Sequence, residues 1–308
     1  MIGKSLIRLM SRPFVLVCAF VALASVSTFA QGVSVGSPTA ARPTPTPQAK
    51  TSPSPERSFF KNILRDQRAI WTSPFHLDRG DAKWLAPIGL STAALLATDR
   101  ETAEALGDEH RTLLRVSKGI SQGGSLYTTG GVVAAFYLVG RAKHNARARE
   151  TGVLGAEALI DGELVASALK LATQRPRPRE DNGSGEFFEG GRAFPSGHAV
   201  SSWALATVIA HEYGRRRPLV RFGAYGLATA VSLSRFTARK HFLGDVLAGS
   251  AIGYGVGRYV YRTHHDPSLD EGEGGASGAG KHSRLMPFTS PIYYRASHSV
   301  GLMLVWTF

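Results

Sequence analysis

Two histidines, one aspartate and three cations in the second half of the chain are spaced for work on an anion. His241 and Asp245 are four residues apart. On a helix that spacing shares one face. A carboxylate there can take one ring N–H, fix the tautomer and leave the other nitrogen as a nucleophile. His198 closes the run Pro195-Ser196-Gly197-His198, which opens an apolar stretch. Ser196 has the character of an N-cap, and Gly197 lets the backbone come close to a ligand. The free N–H groups and dipole of a helix start make a phosphate cradle, with His198 at its rim. Lys170 and Arg177 are held near a stiff frame, because Pro176 and Pro178 force an extended chain. Arg235 stands six residues before His241.

Each cluster alone has a plainer reading: a solvated basic turn, a helix start, or a surface ion pair of little energetic value. Together they supply what phosphoryl transfer needs. Lys170, Arg177, Arg235 and the N–H groups at Ser196 and Gly197 would bind phosphoryl oxygens. His241 would attack phosphorus in line. His198 would protonate the leaving oxygen and then act as base on water. Two histidines and an aspartate could also hold a metal, but cations crowding the histidines repel a divalent ion. The expected site has no metal and no cofactor.

The three clusters read K-x6-R-P (Lys170 to Pro178), P-S-G-H (Pro195 to His198) and S-R-x5-H-x3-D (Ser234 to Asp245). In that order they resemble the signature of the type 2 phosphatidic acid phosphatase / vanadium haloperoxidase superfamily, in its bacterial acid phosphatase or lipid phosphatase branch. The resemblance implies an all-α fold. It implies catalytic roles for His198, His241 and Asp245, and phosphate-binding roles for Lys170, Arg177, Ser196, Gly197 and Arg235. The implied substrate is a phosphomonoester or a lipid (di)phosphate. The alternative within the superfamily is a vanadium-dependent haloperoxidase, in which vanadate would be held by His241. A third reading is a non-enzymatic phosphate-binding envelope protein. Arg175-Pro176 also reads R-P, but Arg177-Pro178 has the family spacing from Lys170.

The elements that position these residues are apolar segments rich in Ala, Gly and Leu, with no sustained alternation of period two. They lie near 84–98, 126–140, 153–172, 199–213, 222–234 and 245–261. Their pattern predicts an all-α bundle of about six core helices. Gly249, Gly253 and Gly257 recur every four residues and allow another helix to approach closely. The uncharged runs are mostly short for a bilayer that needs ~20 residues, and mean hydropathy is −0.06.

The 308 residues carry 36 Lys and Arg against 23 Asp and Glu, a net charge of +13. Such a surplus favours anionic partners, but the basic residues do not alternate with aromatics as in a nucleic-acid groove. Residues 1–30 read as a signal peptide: Lys4, Arg8 and Arg12, then an apolar run, then Thr28-Phe29-Ala30. The 18 uncharged residues from Pro13 to Ala30 would also suffice for an uncleaved anchor. Cys18 is the sole cysteine, so a mature chain would have no disulfide, thiol nucleophile or cysteine-bound zinc. The expected location is the periplasm or cell envelope, with membrane association.

Residues 31–57 form a Pro/Thr/Ser-rich linker. Residues 58–264 form the helical domain, 265–284 a Gly-rich linker and 285–308 a tail. Residues 58–72 predict a basic amphipathic helix, either packed on the domain or lying on anionic lipid. Ser299–Phe308 reads as a strand, with Val300, Leu302, Leu304, Trp306 and Phe308 on one side.

Overall fold

The computed structural model describes residues 55–76, 79–105, 111–180, 184–215, 217–272, 288–294 and 299–305. The expected signal peptide and most of the 31–57 linker lie outside these residues. The chain divides into two units, Met1–His265 and Asp266–Phe308, which are described separately.

The first unit is helical, as the patterning predicts. Its helices are α1 (Pro55–Thr72), α2 (Arg79–Ala105), α3 (Arg111–Ser121), α4 (Leu126–Ala142), α5 (Ala146–Thr173), α6 (Gly197–Tyr213), α7 (Pro218–Thr237) and α8 (Leu243–His264). The six expected segments all fall within helices, and α3 is an addition. Local chemistry sets several boundaries. Ser125 caps α4 by accepting from the Thr128 N–H, and Asn145 caps α5 by accepting from the Ala148 N–H at 2.9 Å. Pro218 begins α7, where its missing N–H costs nothing. Gln174 ends α5 in the left-handed region at φ 45°.

Helix α6 is the central element. Its Ala204 and Val208 pack with Leu154 and Ala158 of α5 and with Val256 and Val260 of α8. Ala206 and Ala210 meet Ala224 and Ala228 of α7, and Leu205 meets Val133 of α4 and Leu159 of α5. Burying a side chain such as Leu154 stabilises by roughly 1.5–3 kcal/mol. Much of this core is alanine, so close approach of the helices matters more than side-chain bulk.

The glycines of α8 make that approach possible. A Cβ on Gly249 would stand 2.6 Å from the Ser196 carbonyl oxygen. Cβ atoms on Gly253 and Gly257 would run into the carbonyls of Val200 and Ala204. Two four-residue ladders therefore face each other across α6 and α8.

Helix α1 takes the first of the two expected arrangements, with part of its apolar stripe left outside. It packs on the domain, yet the buried face includes Asn62, Ile63 and Asp66. Phe60 (79 % exposed), Leu64 (75 %) and Trp71 (45 %) face outward beside Lys61, Arg65 and Arg68. Matched polar groups across the helix contact explain the polar share of the buried face. Asn62 Nδ2 donates to Glu157 Oε1 at 2.9 Å, and Gln67 Nε2 donates to Asp161 Oδ1 at 2.8 Å. His264 Nε2 lies 2.8 Å from Asp66 Oδ2. Among the described residues, no helix is long and apolar enough to cross a membrane.

The second unit contains α9 (Ser268–Gly272), β1 (Phe288–Tyr294) and β2 (Ser299–Val305). The expected terminal strand has a partner: β1 pairs antiparallel with β2, with Phe288 opposite Val305, Ile292 opposite Gly301 and Tyr294 opposite Ser299. Trp306 and Phe308 lie outside the described residues.

Candidate active site

All eight sequence-selected residues occupy one end of the bundle, where α5 and α7 finish and α6 and α8 begin. Lys170 is in the last turn of α5. Arg177 is on the loop that follows. Ser196 is the N-cap of α6, and Gly197 and His198 are its first residues. Arg235 is in the last turn of α7, and Asp245 is in the first turn of α8.

Backbone hydrogen bonds tie these ends together. The Ser196 N–H donates to the Asp245 carbonyl at 3.0 Å, which joins the starts of α6 and α8. The loop from α5 returns along its own beginning, with Gly191 N–H to Gln174 O at 2.8 Å and Ala193 N–H to Arg175 O at 2.7 Å. The turn between α7 and α8 closes on Arg235, whose carbonyl accepts from the Lys240 and His241 N–H groups at 3.0 and 3.3 Å.

His241 is buried, but it is not helical and so does not share a helix face with Asp245 as the spacing predicts. It lies just before Phe242, the N-cap of α8. Its Nδ1 is 2.8 Å from the Ala193 carbonyl oxygen and 3.8 Å from Asp245 Oδ2. The short contact is to a group that can only accept, so Nδ1 carries the proton and Nε2 keeps its lone pair. The backbone carbonyl therefore fixes the tautomer, while Asp245 acts at ion-pair distance. Burial holds the imidazole below its usual proton affinity, with Asp245 opposing that effect.

Asp245 has two other partners. Its Oδ2 accepts from the Phe242 N–H at 2.9 Å, and its Oδ1 receives Arg175 Nη1 at 2.7 Å. Arg175 is buried. It also reaches Asp99 Oδ2 of α2 at 3.0 Å, and its Nε donates to the Gly185 carbonyl at 2.7 Å. The Phe242 and Phe187 rings lie 4.4 and 5.0 Å from its guanidinium carbon. Asp99 Oδ1 accepts from the Gly244 N–H at 3.0 Å.

The remaining cations crowd His198. Burial, then Arg235, His241, Lys170 and Arg177 together push its imidazole down to about 3. Burial and Arg177 lower Arg235 to about 10. Burial also lowers Lys170, against the pull of Glu163 and Asp245. Arg235 Nη1 donates to the Ser121 hydroxyl of α3. Gly197 lies against Lys170: a Cβ there would sit 3.3 Å from Lys170 Nζ and 3.5 Å from Glu163 Oε1. The Ser196 side chain does not cap α6. Ser196 Oγ, Arg177 Nε and Arg235 Nε are buried without a hydrogen-bond partner among the described residues. Unsatisfied donors beside a helix N-terminus are what an oxyanion would satisfy.

Sequence reasoning passed over four residues here. Arg175 lacks the family spacing from Lys170, although its place between Gln174 and Pro176 puts it in the same stiffened segment. Glu163 is seven residues before Lys170, hence on the same face of α5, and it accepts from Ser201 Oγ at 2.5 Å. Asp99 and Ser121 carry no local signal, because their partners are 76 and 114 residues away.

Comparisons with known proteins find a family model and several similar proteins. Residues 152–268 match the model of the PAP2 superfamily. The chain is 38 % identical over 69 residues to a lipid A 1-phosphatase of Porphyromonas gingivalis. That match covers 22 % of this chain and 16 % of that protein. A transmembrane PAP2 type phosphatidylglycerolphosphate phosphatase from Bacillus subtilis aligns with a TM-score of 0.46 at 21 % identity, over 68 % of this chain and 95 % of that one. LpxE of Aquifex aeolicus aligns with a TM-score of 0.42 at 21 % identity, over 54 % of this chain and 94 % of that one. The segment 152–268, which holds all three motifs, belongs to the PAP2 superfamily.

Proposed function

We propose that this chain is an exported phosphatase of the cell envelope that hydrolyses lipid phosphates, through a phosphohistidine on His241 and without a catalytic metal. The observation that carries the reading is His241 itself. Its Nδ1–H is held by the Ala193 carbonyl, and its bare Nε2 belongs to a site ringed by Lys170, Arg177 and Arg235.

The cations and the α6 N-terminus bind the phosphoryl oxygens and stabilise the charge of the transition state. His241 Nε2 forms a bond to phosphorus as the bond to the leaving oxygen breaks. The leaving oxygen takes a proton from His198. Water then gives its proton to His198 and attacks phosphorus. The P–N bond breaks, returning the electron pair to Nε2. The sum is one water consumed, with an alcohol and inorganic phosphate released. His198 must arrive protonated although the free protein holds it neutral at ordinary pH. A bound phosphate dianion supplies the opposing charge that raises its proton affinity.

A lipid substrate is favoured by the surroundings. Leu171, next to Lys170, is 62 % exposed, and Phe188 on the loop after α5 is 74 % exposed. Leu233, two residues before Arg235, is also exposed. Apolar groups on three elements of the site suit acyl or isoprenoid chains. Export is supported by the residue pattern of positions 1–30.

The test is phosphate release from phosphatidate, an isoprenoid diphosphate, a lipid A phosphate and p-nitrophenyl phosphate, with EDTA present and with or without vanadate. Release that survives EDTA, stops with vanadate and favours the lipids is expected. Release from none of them, with peroxide-dependent bromination after vanadate addition, would instead support a haloperoxidase.

A further inference from the structure

Two clusters of buried carboxylates and a histidine lie outside the phosphoryl site, and they differ in how their charge is balanced. Asp66 of α1, Glu157 of α5 and His264 of α8 each offer a ligand atom, all within 4.8 Å of one another. We propose that these three residues form a binding site for a divalent transition-metal ion of the zinc class, which clamps α1 to the bundle.

The argument begins with charge. Asp66, Glu157 and Asp161 are all fully buried. Among the described residues, their positively charged ion-pair partner is the His264 imidazole, whose side chain is 8 % exposed. Arg65 is near enough to act on His264 but is itself exposed. The Tyr259 hydroxyl also neighbours Asp66. Three buried carboxylates against one imidazole leave an excess of negative charge that a low-dielectric interior strongly disfavours.

Hydrogen bonding adds a second, independent observation. Asn62 satisfies Glu157 Oε1 and Gln67 satisfies Asp161 Oδ1. Glu157 Oε2 and Asp161 Oδ2 are buried with no donor. A cation meets both needs at once. Imidazole with carboxylates selects zinc or a similar transition ion over magnesium or calcium. His264 Nε2 already lies 2.8 and 3.0 Å from the two Asp66 oxygens. Metal bonds of about 2.0–2.2 Å therefore need a modest opening of that pair and loss of the Nε2 proton. Asn62 and Gln67 orient the carboxylates from outside. The site is remote from the phosphoryl chemistry: Glu157 precedes Lys170 by 13 residues on α5, about 20 Å along the axis.

The rival cluster, Glu150, Glu212 and His265, has Arg147 as a further counter-ion within 3.5 Å of Glu212. It can balance its charge without a metal.

The experiment uses the full chain, stripped with EDTA and then titrated with Zn2+ or Co2+. One equivalent of zinc per chain is expected by elemental analysis. A rise in Tm of about 5–10 °C is expected at a hundredfold excess over Kd, together with d–d bands of four-coordinate cobalt. Glu157→Gln and His264→Gln should each lose the equivalent, and His241→Ala should keep it. Because Glu157→Gln preserves the bond from Asn62, loss of metal there is not loss of fold, which circular dichroism checks. No stoichiometric metal in the wild-type chain would overturn the proposal, as would metal lost in His241→Ala but kept in Glu157→Gln. None of these readings depends on phosphate release.

Discussion

Arg175 Nη1 lies 2.7 Å from Asp245 Oδ1 and 3.0 Å from Asp99 Oδ2, so one buried nitrogen joins the carboxylate beside His241 to helix α2. Asp245 is thereby fully engaged: one oxygen receives the guanidinium and the other the Phe242 N–H. Its service to His241 is to hold the start of α8 and to place a partly neutralised charge 3.8 Å from Nδ1.

The network makes a stability prediction. Removing one partner of a buried ion pair costs roughly 3–5 kcal/mol, because the other is left uncompensated. Arg175→Met strands two carboxylates and should lose about that much in urea unfolding. Arg175→Lys keeps the charge but cannot span Gly185, Asp99 and Asp245 with a planar fork. It should retain the fold while losing turnover more than substrate binding, because Asp245 and the His241 turn shift. Wild-type stability in Arg175→Met would show that the guanidinium is dispensable.

The sequence disclosed the site better than its support. The clusters at Lys170, His198 and His241 each show only a local pattern, and the resemblance to the superfamily signature is what joins them across the 75 residues from Lys170 to Asp245. The helices were readable for a related reason: apolar runs broken by Gly and Pro mark their limits. The network around Arg175 was not readable, since Asp99 lies 76 residues away and packing alone selects it. The same holds for α1. Ile63 and Ile70 of its apolar stripe pack inward, whereas Phe60, Leu64 and Trp71 face outward because Asn62, Asp66 and Gln67 find buried partners on α5 and α8. The spacing of His241 and Asp245 misled for a simple reason: Phe242 caps the helix between them.

The two histidines should separate kinetically. His241→Ala removes the nucleophile and should abolish turnover on every substrate. His198→Ala removes proton transfer, a loss of roughly 10²- to 10⁴-fold for general acid–base catalysis. With p-nitrophenyl phosphate the leaving group needs little protonation. His198→Ala should then accumulate phosphoenzyme, seen as acid-labile, base-stable 32P on the protein. Near-normal turnover by His241→Ala would sink the mechanism.

Proton uptake should accompany anion binding. In the free protein burial, and then the neighbouring cations, hold His198 at about 3, so its NMR titration should be silent across neutral pH. Phosphate or vanadate should raise that value, and affinity should fall as pH rises through the bound-state value. Protein stability follows the opposite sign. An unfolded histidine binds its proton near 6.5, whereas the folded one resists until about 3. Between those values the unfolded chain holds more protons, so stability rises with pH there. His198→Gln should flatten that part of the stability profile. An ordinary imidazole titration near 6.5 in the anion-free protein would contradict the crowding of cations described here.

The glycines of α8 give a prediction whose sign changes within two residues. Gly253 faces α6, where a Cβ would meet the Val200 carbonyl, whereas nothing lies within 4 Å of a Cβ on Gly255. Alanine at 253 must push the helices apart, and overpacking of that kind costs roughly 1–3 kcal/mol. Alanine at 255 meets open space and removes backbone entropy from the unfolded chain, which stabilises a helix by roughly 0.5–1 kcal/mol. Gly249→Ala adds a functional consequence, because the atom it would strike is the Ser196 carbonyl oxygen at the N-terminus of α6. Its loss should appear in KM as well as in Tm, whereas Gly253→Ala should lower Tm with KM less affected. Equal effects of alanine at 253 and 255 in thermal unfolding would mean that α6 and α8 do not meet along this ladder.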